Sequence, residues 1–293
     1  MGVIGQGNCK SRFSHFPPFP AIFVQGLRAV RNYGLAHWGK TASEIPGKRL
    51  QMNFCHYLAP VIRTLDTLLS PPVCPVCEKH LSANDAPGRL CDYCDAATPR
   101  LPEMRCRLCG APLNTALELC RECTAETRPW LAGTCAFPYD GPAGEWIRAY
   151  KYGRKTALAP VLAREMALAW KAHGKSVRPE IIVPIPLHWR RQRVRGFNQA
   201  ELLAQFLAPQ LGMRCVNALK RRYATAHQAR LTESSRLKNL QKAFVVVDAE
   251  AIAGKSVLVV DDVFTTGATF TAACQALLAG GAAETAVLAI ARA

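Results

Sequence analysis

The chain has 293 residues, 49% hydrophobic and 20% charged, with a formal net charge of +16 at pH 7. That length suits about two domains, and the composition excludes a wholly disordered or collagen-like chain. The charge is uneven, +6 over residues 1–51 and +11 over residues 131–293, so a polyanionic partner such as nucleic acid or a phosphate-rich small molecule would meet those parts first.

Residues 1–51 read as a basic leader, poor in acids and interrupted by Pro and Gly, either disordered or upstream of the native start, with Met52 an alternative start. Gly34-Leu-Ala-His-Trp-Gly39-Lys40-Thr41 fits the spacing of a nucleotide-binding lysine loop. No apolar strand precedes it and Pro46-Gly47 follow, so it reads as a chance match. Over residues 52–69, Leu58, Val61, Ile62, Leu65, Leu68 and Leu69 recur at three- and four-residue spacing. They predict an amphipathic helix, ending before Pro71-Pro72 and packed on the next domain rather than on a membrane. His56, Arg63 and Asp66 interrupt the apolar run Phe54 to Leu69. No stretch of about 18 apolar residues exists, so no transmembrane segment is expected. No signal peptide is visible, and 13 cysteines without one point to a reducing, cytoplasmic compartment.

Residues 70–129 hold four C-x-x-C pairs: Cys74/Cys77, Cys91/Cys94, Cys106/Cys109 and Cys120/Cys123, separated by 13, 11 and 10 residues. A C-x-x-C turn points two thiolates at one place, and two turns complete a tetrahedral zinc site. The favoured reading is two structural Zn2+ sites, first pair with second and third with fourth, with no open coordination position. One zinc, redox chemistry and an Fe–S cluster stay as alternatives. Few apolar neighbours are visible around the pairs, so the metal is expected to stand in for a core. Two such sites would add −4 to a near-neutral segment, which weighs against phosphate-backbone binding by the ribbon.

Residues 130–293 alternate strands and helices, which implies βαβ units and a parallel sheet. The expected strands are Ile181–Ile185, Phe244–Val247, Val257–Val260 and Ala286–Ile290. The expected helices are Ala157–Lys171, Gln199–Leu207 and Ala268–Ala279. Within this segment Val257-Leu-Val-Val-Asp261-Asp262-Val-Phe-Thr265-Thr266-Gly267-Ala268-Thr269 reads as a buried strand, two carboxylates, a Thr/Gly turn and a helix. A helix N-terminus favours an anion, and Gly267 lets backbone approach it closely. The two acids suit sugar hydroxyls or Mg2+ rather than the anion itself. Arg190, Arg191, Arg193 and Arg195 follow the strand Ile181–Ile185 and suit a diphosphate. His188 and His227 read as surface or structural rather than as general bases.

Residues 257–269 resemble the phosphoribosyl pyrophosphate (PRPP) signature of type I phosphoribosyltransferases. Together with Tyr150-Lys151-Tyr152-Gly153-Arg154, Val183-Pro184-Ile185-Pro186-Leu187, Arg193-Val-Arg195-Gly196-Phe197-Asn198-Gln199, the stretch from Gln228 through Arg236 and Asn239 to Phe244, and the four cysteine pairs, they resemble the ComF competence-protein family over about residues 54–293. The resemblance implies an α/β fold, in which a parallel-sheet type I phosphoribosyltransferase-like domain (130–293) follows a small double zinc ribbon (70–129). It implies that Thr265, Thr266, Gly267, Ala268 and Thr269 hold the 5′-phosphate and that Asp261 and Asp262 hold the ribose hydroxyls. Lys151 and Arg193 are further expected PRPP contacts, and Arg190 and Arg195 join the two acids as expected catalytic groups. Gly196, Phe197, Asn198 and Gln199 would form a mobile hood. The implied activity is Mg2+-dependent transfer of phosphoribose to a base or amine with pyrophosphate release, linked to DNA uptake. The alternative is a non-catalytic PRPP or nucleotide sensor, or a module that handles single-stranded DNA. Expected partners are PRPP, single-stranded DNA or proteins of the competence machinery, and a second copy in a homodimer. Phe264 departs from the family pattern, which usually has a smaller aliphatic residue there.

Overall fold

The computed structural model describes residues 73–81, 89–115, 117–174, 176–222 and 243–293. The expected leader, the helix over 52–69, and the stretch containing Gln228, Arg236 and Asn239 lie outside the described residues.

Five strands form one parallel sheet: β1 (Ala132–Pro138), β2 (Ile181–Pro184), β3 (Arg214–Cys215), β6 (Ser256–Phe264) and β7 (Glu284–Arg292), in the order β1-β7-β6-β2-β3. β6 and β7 are buried on both faces, as strands of a helix-covered parallel sheet must be. Their residues alternate between two packed clusters. Leu258, Val260, Ala286, Leu288 and Ile290 join one; Val257, Val259, Val287 and Ala289 join the other. Helices α3 (Pro142–Lys151), α4 (Ala159–His173) and α6 (Gln199–Leu211) cover the first face. Helix α8 (Ala268–Ala279) covers the second.

The segment expected as the strand Phe244–Val247 is a strand, but not of this sheet. It is β5 (Phe244–Val246), paired antiparallel with β4 (Leu219–Arg221) in a separate ribbon against α8. Short apolar alternation shows that a strand forms but not which strand it pairs with. The expected strands Val257–Val260 and Ala286–Ile290 lie within the longer β6 and β7, the expected Ile181–Ile185 stops one residue earlier at Pro184, and α8 has the expected limits. Pro160 takes the first turn of α4, after a 3-10 turn over Thr156–Leu158. β1, β3, β4, α3 and the short helices α5 (Trp189–Arg195) and α7 (Ala249–Ile252) are additions to the expected elements.

The cysteine region packs on both sides of the sheet. Cys74, Leu90 and Cys94 belong to the cluster on the α4 face, and Cys106, Leu108, Cys109 and Cys123 to that on the α8 face. The intervening chain runs along β1. The Leu101 N–H donates to Ala136 O at 3.5 Å, the Arg105 guanidinium to Cys135 O at 3.4 Å, and the Gly133 N–H to Arg107 O at 2.8 Å. β1 is thus an edge strand covered by the ribbon's own chain. The approach is close: a Cβ on Gly133 would lie 2.1 Å from Leu108 O. This corrects the expectation of loops with few apolar neighbours, because each half of the ribbon shares the domain's core.

Candidate functional site

Strand β6 positions the site. Its pairing with β2 ends at Pro184 opposite Val260, so Asp261 and Asp262 emerge just past the end of β2, at the carboxyl edge of the sheet. Open α/β sheets bind ligands at that edge. Gly267 follows at φ +84° and leads into α8, whose first turn carries Thr269. Thr266 Oγ1 accepts from the Ala268 N–H at 3.3 Å. Below the turn, Phe264 stacks on Phe270 with centroids 5.3 Å apart and meets Trp130 edge-on at 6.0 Å. Phe264 therefore belongs to a buried aromatic floor, 2% exposed.

A cavity of about 570 Å3 opens in front of these residues, a size suited to a small-molecule ligand. Asp261, Asp262, Thr265 and Thr269 line it, as do Ile185, Pro186 and Leu187 from the segment after β2. Four cations line it (Lys151, Arg191, Arg195 and Arg221) against two acids. Lys151 Nζ lies 2.9 Å from Asp262 Oδ1, with both side chains largely buried. Asp261 Oδ1 accepts from the Asp262 N–H at 2.8 Å. Burial, and then the neighbouring Asp262 charge, push the Asp261 carboxyl up to about 7. Arg221 stacks 5.5 Å from the Phe244 ring, and its pKa is lowered by burial and then by Arg191.

Of the expected residues, Asp261, Asp262, Thr265, Thr269, Lys151, Arg195, Asn198 and Gln199 meet at this cavity. Thr266, Gly267 and Ala268 contribute the turn beside it. Arg190 and Arg193 do not reach it. They lie on the exposed Trp189, 5.2 and 4.9 Å from its ring centroid, because the basic stretch is the helix α5 and its side chains fan around an axis. The stretch expected as a mobile hood makes several contacts with the domain in this structure. Gly196 ends α5 at φ +87°, Phe197 packs on Tyr150 at 5.5 Å, Asn198 caps α6 and donates to Ile185 O at 3.2 Å, and Gln199 is 2% exposed. The Tyr150 hydroxyl donates to Gln199 O at 2.9 Å, and the Arg195 guanidinium to Gln199 Oε1 at 2.9 Å. His188 accepts from the Arg190 N–H and caps α5, and its pKa is lowered by burial and then by Arg221 and its arginine neighbours.

Tyr139 and Arg221 were not among the expected cavity residues. Arg221 had a legible signal: it shares with Leu219 the inward phase of a period-2 alternation, while Lys220 faces out. Tyr139 has none, since it follows a strand that was itself unexpected.

The two metal clusters assemble as expected in sequence order. Cys74, Cys77, Cys91 and Cys94 have sulfurs within 4.8 Å of one another, and so do Cys106, Cys109, Cys120 and Cys123. Cys77 Sγ and Cys91 Sγ are 3.5 Å apart, and Cys109 Sγ and Cys120 Sγ 3.7 Å. Tetrahedral thiolates at the usual Zn–S distance lie about 3.8 Å apart, so both clusters fit Zn2+. The Cys109 thiol, against the opposing effect of burial, and backbone N–H groups of Cys120, Leu108 and Cys109 hold the Cys106 thiol below the ordinary cysteine range.

Residues 198–293 match the family described as phosphoribosyl transferase domain, and residues 65–124 match the double zinc ribbon domain. The chain is 33% identical to DNA utilization protein YhgH of Escherichia coli (strain K12) over 230 residues, 77% of this chain and 99% of the relative. It is 30% identical to competence protein F of Haemophilus influenzae over 219 residues, 73% of this chain and 93% of the relative. It is 24% identical to competence protein ComFC of Bacillus subtilis over 204 residues, 67% of this chain and 80% of the relative.

Proposed function

The chain belongs to the ComF competence-protein family, with a double zinc ribbon and a phosphoribosyltransferase domain, and from that premise we propose that its cavity binds PRPP with Mg2+ and transfers phosphoribose to a nitrogen acceptor. The observation that carries the reading is the pairing, in one cavity, of the Asp261/Asp262 couple with the Thr265–Thr269 turn. The α8 N-terminus and the Thr hydroxyls suit the 5′-phosphate. The carboxylates accept from the ribose 2′- and 3′-hydroxyls. Arg191, Arg195 and Arg221, which line the same cavity, suit the diphosphate. Mg2+ bound with PRPP supplies neutralisation of the leaving diphosphate. In the transfer, the bond from C1 to the diphosphate oxygen breaks and a bond from C1 to the acceptor nitrogen forms, with loss of a proton from that nitrogen. The arginines hold the charge that develops on the leaving group, and no side chain acts as covalent nucleophile.

Lys151 now pairs with Asp262, so PRPP would compete for or rearrange that contact. Calorimetry with PRPP and Mg2+ tests the reading: wild type binds, and Asp262→Asn loses at least about tenfold in affinity, as loss of a charged hydrogen bond does. Equal affinity of the two proteins refutes the assignment. Pyrophosphate release on adding candidate bases then separates a transferase from a sensor.

A specific surface favours a second, compatible role. Trp189 is 51% exposed between Arg190 and Arg193, and Tyr152 is 71% exposed with the Arg195 guanidinium 4.9 Å from its centroid. Exposed aromatics interleaved with arginines suit stacking of unpaired bases. The name of the Escherichia coli relative, DNA utilization protein, points the same way. Trp189→Ala is expected to weaken binding of a single-stranded oligonucleotide roughly tenfold, whereas Asp262→Asn leaves it unchanged. Equal oligonucleotide affinity in wild type and Trp189→Ala removes this role.

A further inference from the structure

A short chain of contacts joins the second cysteine cluster to the Thr265–Thr269 turn. Cys120 is the N-cap of helix α2 (Arg121–Ala125), and Cys123 is its third residue. Glu122 lies between these two ligand candidates, so the knuckle fixes its backbone. Glu122 Oε2 accepts from Arg292 Nη2 at 3.0 Å. Arg292 Nη1 donates to the Thr265 carbonyl at 2.8 Å and also to Ala293 O. The guanidinium lies 5.3 Å from the Phe264 ring centroid, and the side chain is 12% exposed. β-register supports the arrangement, since Phe264 pairs with Arg292.

A second arginine sits beneath the turn. Arg128 is 5% exposed, pairs with Glu126 at 3.0 Å and lies 5.5 Å from the Trp130 ring centroid. Its Nη1 is 3.2 Å from the place a Gly267 Cβ would occupy. Two arginines therefore meet the turn from the side of the second ribbon. The first ribbon makes a different link to the domain, from Glu78 to Lys155 at 3.2 Å.

We propose that Arg292 is a positioning residue that carries the placement of the second ribbon, through Glu122, to the Thr265–Thr269 turn, and so makes that ribbon the scaffold of the anion-binding loop. In a trans peptide the C=O and the N–H point in opposite directions. Pinning the Thr265 carbonyl to Arg292 therefore orients the Thr266 N–H to the other side of the peptide plane. A turn preset in this way need not order itself when an anion arrives, which saves part of the entropy of binding. The choice of the phosphate as that anion rests on the proposed function; the scaffold itself does not.

The test uses the full chain with amide hydrogen exchange and PRPP–Mg2+ calorimetry side by side. In Arg292→Met, exchange of the amides of residues 265–269 rises and PRPP affinity falls, each by about tenfold, the scale of one charged hydrogen bond. Amides of β1 and β2 keep their wild-type rates, and the zinc content is unchanged. Glu122→Ala moves the same amides by a smaller factor, roughly twofold, because its carboxylate is exposed. It adds nothing in the Arg292→Met background, which a pair acting through one contact requires. Glu78→Ala leaves the turn at wild-type rates. Unchanged exchange at 265–269 in both variants overturns the proposal, and so does a uniform rise across the whole sheet. If Arg292→Met fails to fold, Glu122→Ala alone decides by the same readout. If exchange at the turn rises as expected but wild type binds no PRPP–Mg2+, the scaffold stands and the proposed function falls.

Discussion

Burial is the first cause that displaces the titration of the cavity carboxylate Asp261 toward neutrality. Its carboxyl stands near 3.8 when unfolded and is pushed up to about 7 when folded. The folded chain therefore binds more protons between those values, and the contribution of Asp261 to stability falls as pH rises from 4 to 7. Asp261→Asn removes that slope. The variant is expected to be the more stable protein at pH 8, by on the order of 4 kcal/mol, or roughly 8–16 °C in Tm, and to keep less than half of that advantage at pH 5. Thermal melts at the two pH values check this, and a Tm difference that does not change with pH contradicts it. The acid pair was legible because two adjacent carboxylates after four apolar residues have few structural uses. The roles of the individual arginines were not. Whether Arg191 or Arg193 faces the cavity depends on the phase of α5, and a run of Arg with one Trp and one Val carries no apolar stripe from which to read it.

The same limit operates for whole elements. Helix α8 was legible to its ends because an apolar run is bounded by Gly267 and Gly280. Strand β1 was not, since Ala132-Gly-Thr-Cys-Ala is small-residue sequence whose strand character comes from its neighbours. Those neighbours explain the small residues. Gly133 lies against the Leu108 carbonyl on one side and Val287 on the other, and a Cβ there would stand 2.1 and 2.6 Å from them. Gly133→Ala must push the second ribbon off the sheet edge. The expected loss is about 3 kcal/mol, or roughly 10 °C in Tm, with zinc still bound. A melt within a degree or two of wild type would show that the edge accommodates the methyl group.

Across the whole molecule, the ribbon is neither a separate module nor an ornament. Its two halves contribute cysteines to the cores on opposite faces of the sheet, and the chain between them lies along β1. Metal analysis is expected to give two zincs per chain, all of them sequestered from weak chelators. Protein purified without chelator and containing none contradicts the ribbon assignment. Zinc in small modules contributes on the order of 10 kcal/mol, so its removal should cost more than any substitution above. The cover over β1 gives that removal a particular outcome. A demetallated chain would bare a row of unsatisfied amides along one border, and neighbouring copies could zip onto it. Metal starvation would then register first as turbidity and self-association, before any loss of chemistry in the cavity.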